Sequence, residues 1–240
     1  MKILGLDSSG LVAGIAVVED DTLLAEYNVN YKKTHSQTLL PMLDEVRKMI
    51  ELDMESVDAI AISSGPGSFT GLRIGAATAK GLGLALNIPL VEVPTLEGLA
   101  FNVWGNSGLI CPIMDARRNQ VYTGVYRFEA NQTIPGIVKE QCAMDIQELL
   151  QELNSLSAQN DFCGVVFVGD GIPVYKEVIA EKLTIPYSFA PAGKNRQCAS
   201  SIAALGAAYF AEGRLCSAMD HKPEYLRESQ AERERANKCS

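Results

Sequence analysis

Apolar and polar positions along the chain spell the same grammar twice. Ile3–Asp7 (ILGLD), Leu11–Glu19 and Thr22–Tyr31 are short apolar or alternating runs, separated by Ser8-Ser9-Gly10 and Asp20-Asp21. Such runs bounded by turn residues predict three strands. The period then changes. Leu39, Met42, Leu43, Val46 and Ile50 recur at i, i+3, i+4, i+7 spacing, which predicts an amphipathic helix over 35–52. Pro41 lies near its start, where a missing N–H is tolerated. Val57–Ser63 reads as a buried strand, broken by Gly65-Pro66-Gly67. Ser68 or Thr70 then caps a helix running to Leu86. A strand at 89–93 and a helix at 96–103 complete a β-β-β-α-β-α-β-α lobe. After the GNSG loop (105–108), strands are expected at 109–114, 120–128 and 133–143, and a helix at 145–156. A strand at 165–168, a helix at 174–183, a strand at 187–189 and an alanine-rich helix at 198–213 follow. The repeated opening predicts an internal duplication, with lobes at 1–105 and 106–215 and a C-terminal segment at 216–240. Within that segment Pro223–Arg227 is expected to pack back, and the charged stretch from Glu228 to be a frayed end.

The helix after Gly67 carries Gly71, Gly75, Ala79 and Gly83 at four-residue spacing, so they stack on one face. Interior glycine costs a helix roughly 1 kcal/mol against alanine, so the stripe calls for close backbone approach. Two surfaces fit: the lobe's own sheet, or a helix of a second subunit. The Walker motif is absent, because Leu72 and Arg73 stand where Lys and Ser or Thr are required, while backbone N–H groups at the helix start can still hold an anion. Strand–turn–strand–turn–strand also opens the actin-like, Hsp70-like and sugar-kinase-like folds, where Asp7 and Ser8-Ser9 would meet a phosphate; an aspartate after a buried strand is equally a strand-end cap, and the pattern alone does not choose.

Composition narrows the function. The formal net charge of −8 and pI near 4.9 argue against direct nucleic-acid binding and favour basic protein partners. Six scattered cysteines without C-x-x-C spacing, and two histidines, give no zinc set. Free thiols in a reducing cytosol are expected. The chain enters a strand at Lys2, so no secretory leader is expected, and no apolar run is long enough to span a membrane. His35-Ser36 lacks an orienting acid and is read as a helix start, not a catalytic dyad.

Four stretches then carry a resemblance. SSGPGSFTGLRIG (63–75), HSQTLLP (35–41), MDARRNQVY (114–122) and PEYLR (223–227) together resemble the bacterial TsaB family, also called YeaZ. The resemblance covers the whole chain and implies a two-lobed actin-like (ASKHA) α/β ATPase fold with duplicated lobes. It implies a non-catalytic subunit in the synthesis of threonylcarbamoyladenosine, beside the anticodon of ANN-decoding tRNAs. The catalytic paralogue TsaD transfers the threonylcarbamoyl group, with TsaE as an ATPase partner. The family pairs with TsaD through first-lobe helices, and alone forms a homodimer over the same face. On that basis Leu39, Met42, Leu43, Val46, Gly71, Arg73, Gly75, Ala79 and Gly83 are expected at the partner interface. Asp7, Ser8, Ser9, Asp115, Arg117, Gly169 and Gly171 are the nucleotide-proximal candidates. TsaD's metal-binding H-x-E-G-H run corresponds here to Thr95-Leu96-Glu97-Gly98-Leu99, which lacks both histidines. No catalytic residue, metal or cofactor requirement is therefore assigned to this chain. ATP or ADP is expected at the heteromer interface, tRNA contact only through the complex, and a cytoplasmic location. The alternative is a small-molecule kinase or ATPase of the same fold; a peptidase would need a metal pair or nucleophile the sequence lacks.

Overall fold

The computed structural model describes residues 1–31, 35–130, 132–159 and 163–227; the charged stretch from Glu228 lies outside the described residues. The first sheet contains β1 (Lys2–Asp7), β2 (Val12–Glu19), β3 (Thr22–Asn30), β4 (Ala59–Gly65) and β5 (Leu90–Pro94), in the order β3-β2-β1-β4-β5. β1 runs antiparallel to β2, from Lys2 opposite Glu19 to Asp7 opposite Gly14, and parallel to β4. The second sheet contains β6 (Leu109–Asp115), β7 (Gln120–Arg127), β8 (Gly136–Asp145), β9 (Val165–Val168) and β10 (Tyr187–Phe189), in the order β10-β9-β6-β7-β8. Replacing β1–β5 by β6–β10 turns one order into the mirror listing of the other, so the duplication is real at the level of topology. Central strands β1, β2 and β4 are buried along nearly their whole length. That is the mark of a sheet covered on both faces.

Helices α1 (His35–Met49) and α2 (Phe69–Leu86) cover one face of the first sheet. Leu39, Met42, Leu43 and Val46 of α1 join Leu4, Leu6, Ile15, Val17, Ile60 and Ile62 in a single core. In the second lobe α4 (Ile146–Gln159) and α5 (Ile172–Lys182) do the same over Cys111, Val121, Val125 and Phe167.

The two remaining helices are exchanged. α3 (Thr95–Phe101) follows β5 in the chain, yet Leu96, Leu99 and Ala100 pack with Ile110, Met114, Tyr126 and Val168 of the second sheet. α6 (Ala199–Ala211) follows β10, yet Ala199, Ile202, Ala203, Leu205 and Tyr209 pack on Ile3, Ala16, Ala59, Ala61 and Val93 of the first. This corrects a division at residues 105 and 215, which leaves α6 in the second lobe and α3 in the first. The cause is complementary smallness. Gly5, Ala16, Ala59 and Ala61 make a flat face, and the alanine-rich helix settles on it so closely that a Cβ on Gly5 would stand 2.6 Å from the Ala199 carbonyl. After α6 the chain stays with the first lobe, where Cys216 exchanges two backbone hydrogen bonds of 2.9 Å with Leu90 on β5.

The glycine stripe of α2 also faces inward. A Cβ on Gly71 or Gly75 would overlap the Ser8 carbonyl or hydroxyl, and one on Gly83 would reach Ala218 at 3.0 Å and Leu90 at 3.1 Å. Ala79 is fully buried. By contrast, nothing lies within 4 Å of the position a Cβ would take on Gly81. Gly75→Ala should therefore lower stability by about 1–3 kcal/mol through overpacking. Gly81→Ala should raise it by about 0.5–1 kcal/mol through helix propensity. Urea unfolding midpoints measure both, and an unchanged midpoint for Gly75→Ala would contradict the packing described.

Candidate functional site

The site candidates lie where β1 ends. Asp7, Ser8 and Ser9 are 2%, 1% and 0% exposed. Three donors converge on the Asp7 Oδ1: the Ser9 N–H at 2.9 Å, the Ser9 hydroxyl at 2.7 Å and the Ser63 hydroxyl at 3.0 Å. Burial nevertheless pushes the Asp7 carboxyl above the usual aspartate range, because its desolvation outweighs these bonds. The turn is roofed by the start of α2. Ser68 donates its N–H to the Ser9 carbonyl at 2.7 Å, and the Ser8 hydroxyl donates to the Gly71 carbonyl at 2.8 Å. A side chain on Gly67 would overlap the Ser9 carbonyl. Ser68 also caps the helix by accepting from Gly71 N–H at 3.3 Å. The loop that reads as an anion cradle is thus spent on packing against the chain's own turn.

Across from this turn stands its counterpart in the second lobe. Asp115 ends β6 as Asp7 ends β1, and accepts from the Arg117 N–H at 2.9 Å and the Tyr175 hydroxyl at 3.2 Å. Burial, with Asp115 beside it, pushes the Tyr175 hydroxyl up to about 12. Arg117, Arg118 and Asn119 all hold left-handed backbone, with φ of 65°, 57° and 59°. Gly169 and Gly171 lie against the Ile113 carbonyl, which accepts from Gly171 N–H at 2.9 Å. Asp170 between them accepts from Asp115 N–H at 3.2 Å, and burial raises its carboxyl.

Between the two turns lies a cleft of about 440 Å³, whose lining includes Ser9, His35, Ser68, Asp115, Arg117 and Arg227. Of the nucleotide-proximal candidates the structure therefore brings Ser9, Asp115 and Arg117 to one opening. Asp7 and Ser8 are buried beside Ser9, and Gly169 and Gly171 flank Asp170, which lines the opening, without lining it themselves. The sequence reading missed His35, whose Nε2 lies 2.8 Å from the Gly10 carbonyl, and Arg227, whose guanidinium donates to the Ala116 carbonyl at 2.6 Å. Both lay inside motifs already singled out, HSQTLLP and PEYLR; the chain's return across the cleft was the missing fact.

The interface candidates need correction. Leu39, Met42, Leu43 and Val46 are between 1% and 6% exposed, inside the first-lobe core, and Gly71, Gly75, Ala79 and Gly83 are buried against the lobe itself. They cannot form an outer contact surface. The physical reason is that the i, i+3, i+4 stripe of a helix on a sheet is its inner stripe. Arg73 alone of the nine is exposed. It shares the outer side of α2 with Thr70, Ala77, Gly81, Leu84 and Ala85. Leu84, and Leu40 and Met49 of α1, leave 58%, 54% and 80% of their surface uncovered.

In α3, Thr95 and Leu99 are each 1% exposed, and Leu99 packs in the apolar core. Glu97 accepts a short hydrogen bond from the Tyr209 hydroxyl, and burial raises its carboxyl. The two histidines lie apart: His221 is buried with Nδ1 2.6 Å from Glu92 Oε1, while His35 is at Gly10. Cys111, Cys142, Cys163, Cys198 and Cys216 are free thiols. No helix among the described residues is long and apolar enough to cross a membrane.

A pH dependence follows from Asp7. Its folded pKa is raised, so the contribution to stability is full below the unfolded value and is lost as pH rises through the folded one. Asparagine keeps the Oδ1 acceptor and never ionises. The stability of Asp7→Asn relative to the parent should therefore rise from pH 4 to pH 8, as read from urea midpoints at each pH. A difference that stays flat, or falls, would show that the three donors outweigh burial.

Comparison with known proteins agrees with this architecture. A family model described as "TsaD: tRNA N6-adenosine threonylcarbamoyltransferase" matches residues 22–235. The chain is 35% identical over 234 residues to the tRNA threonylcarbamoyladenosine biosynthesis protein TsaB of Bacillus subtilis, covering 97% of this chain and 96% of that one. It is 29% identical to the Escherichia coli protein of the same name, covering 96% of each. Its fold superposes on YeaZ from Pseudomonas aeruginosa with a TM-score of 0.77 at 24% identity, over 94% of this chain and 99% of that one. The match over nearly the whole length of both chains, with the shared fold, leads to one assignment: the chain belongs to the TsaB (YeaZ) family.

Proposed function

We propose that this chain acts in the biosynthesis of threonylcarbamoyladenosine in tRNA as a non-catalytic subunit that pairs with TsaD, alongside TsaE. The observation that carries the reading is the family assignment, made through relatives named for that pathway over nearly their whole length. The filled site supports the non-catalytic part. Leu99 packs in the core where TsaD is expected to carry a histidine, and the Asp7–Ser9 turn is roofed by α2. With that turn closed, the reading puts ATP or ADP at the junction with the partner. The chain's acidity leaves tRNA to the complex.

The pairing surface in this proposal is the outer side of α2 together with the exposed side of α1. Ala77 and Gly81 keep the backbone accessible to a partner helix, and Leu40, Met49 and Leu84 supply uncovered apolar area. A homodimer of the isolated chain would use the same side.

The decisive experiment is a drop-out reconstitution. Purified TsaD, TsaE, threonylcarbamoyl-adenylate synthase, tRNA, ATP, threonine and bicarbonate are run with and without this chain, and modified adenosine is read by mass spectrometry. Product should form only when the chain is present, and the chain alone should form none and turn over no ATP. Equal product without it would overturn the reading. Ala77→Arg and Leu84→Asp, both on the outer side, should abolish pairing in light scattering. Their effect on unfolding should stay within about 0.5 kcal/mol, as for surface sites.

A further inference from the structure

Residues 215–227 form a strap that leaves the first lobe's edge and ends across the cleft. Along β5 it is fixed by the paired Cys216 and Leu90 backbones and by buried His221 on Glu92. The His221 carbonyl accepts from Lys80 Nζ at 2.9 Å. Farther on, Glu224 donates its N–H to the Ser64 carbonyl at 2.7 Å, and its side chain accepts from Gln141 of β8 at 2.6 Å. Gly65 is glycine because the Glu224 carbonyl fills the place of its Cβ.

The last three residues grip two different elements. Tyr225 stacks on Phe69 with ring centroids 4.5 Å apart and planes 7° from parallel. Its hydroxyl accepts from Arg73 Nε at 3.3 Å, and the Arg73 guanidinium stands 5.9 Å from the ring centre. Phe69 and Arg73 begin α2. Two residues later, Arg227 donates to the Ala116 carbonyl at 2.6 Å. Ala116 opens the turn that holds Arg117, Arg118 and Asn119 in left-handed backbone, closed by Ala116 N–H on the Gln120 carbonyl at 2.9 Å. Three successive non-glycine residues in that region persist only where their surroundings hold them. The charged hydrogen bond from Arg227 is one such hold.

We propose that Tyr225–Arg227 is a latch that couples the first turn of α2 to the β6–β7 turn, so that the outer side of α2 and the interlobe cleft change together. Only Leu226 separates the two grips, about 7 Å of extended chain from Tyr225 to Arg227. Movement of the Tyr225 backbone away from α2 therefore draws on the Arg227 anchor. Arg73 is exposed on α2, so a molecule that engages its guanidinium there competes with the Tyr225 hydroxyl. Release would then reach the turn carrying Asp115 and Arg117, which line the cleft. The coupling is a property of the chain by itself and stands or falls without any partner.

Hydrogen exchange on the full chain tests it. In Tyr225→Leu, amides of 116–122 should exchange about tenfold faster, the scale set by losing one charged hydrogen bond. Amides of 68–73 should speed as well, while those of α4 and α5 keep their rates. Arg227→Gln should produce the same pair of changes from the other end. The double variant should do no more than the larger single one. If each substitution affects only the end it touches, or if the double variant sums the two, the grips are independent and the latch is overturned. Should Tyr225→Leu fail to fold, Tyr225→Phe keeps the ring and loses only the Arg73 hydrogen bond. A smaller rise at both ends supports the latch, and a rise at 68–73 alone overturns it.

Discussion

The first lobe depends on a contact between backbones. The turn after β1 meets Gly67 and the first two turns of α2 with only the Ser8 hydroxyl between them, because Gly67, Gly71 and Gly75 each leave the space that Ser8 or Ser9 occupies. Two hydrogen bonds, Ser68 N–H to Ser9 and the Ser8 hydroxyl to Gly71, lock the approach. Everything downstream inherits it. α2 is drawn onto β1 and β4, its outer side is fixed as Arg73, Ala77, Gly81 and Leu84, and the loop that could have wrapped a phosphate is closed. A motif that looks like a binding loop in sequence is here a packing device.

The seam between the lobes is polar where the cores are not. Tyr209 of α6 donates to Glu97 of α3, and the Arg214 guanidinium lies 3.4 Å over the Tyr209 ring. Burial raises the Glu97 carboxyl and the Tyr126 and Tyr209 hydroxyls together, so the cluster favours shared protons over charge. A short way along, Asn102 donates to the Lys194 and Arg196 carbonyls at 3.0 and 2.6 Å and accepts from the Ser201 hydroxyl at 2.7 Å. Such bonds require particular partners at particular distances, and so fix how one lobe sits on the other more sharply than apolar contact does.

Much of this was legible in the sequence, and what was not shares a cause. Among the described residues, the ten strands and six α-helices stand close to where periodicity puts them, because each is dictated largely by its own residues: VAGIAVVE is an apolar run bounded by turns. The duplication was legible for the same reason. Period identifies the stripe that is buried without saying against what. Leu39 and Gly75 are on the buried stripes of α1 and α2, and the sequence leaves open whether sheet or partner covers them. The positions of α3, α6 and the strap depend on distant residues: Ala199 on Gly5, Leu99 in the second-lobe core, Arg227 on Ala116. Such long-range matches leave no local pattern. In the site, Asp7 and Asp115 were found because each ends a strand before a turn; that only one of the pair is sealed depends on the roof above it.

The exchange of α3 and α6 also sets an order of events during synthesis. When the ribosome has completed β5, the first sheet exists in sequence but Ile3, Ala16, Ala61 and Val93 have nothing to cover them. Their cover is α6, which ends at Ala211. At about 5–20 residues per second, translation needs roughly 5–20 s more to deliver it. Neither half can be excised as an independent module, and a nascent first lobe spends that interval with an open apolar face within reach of chaperones.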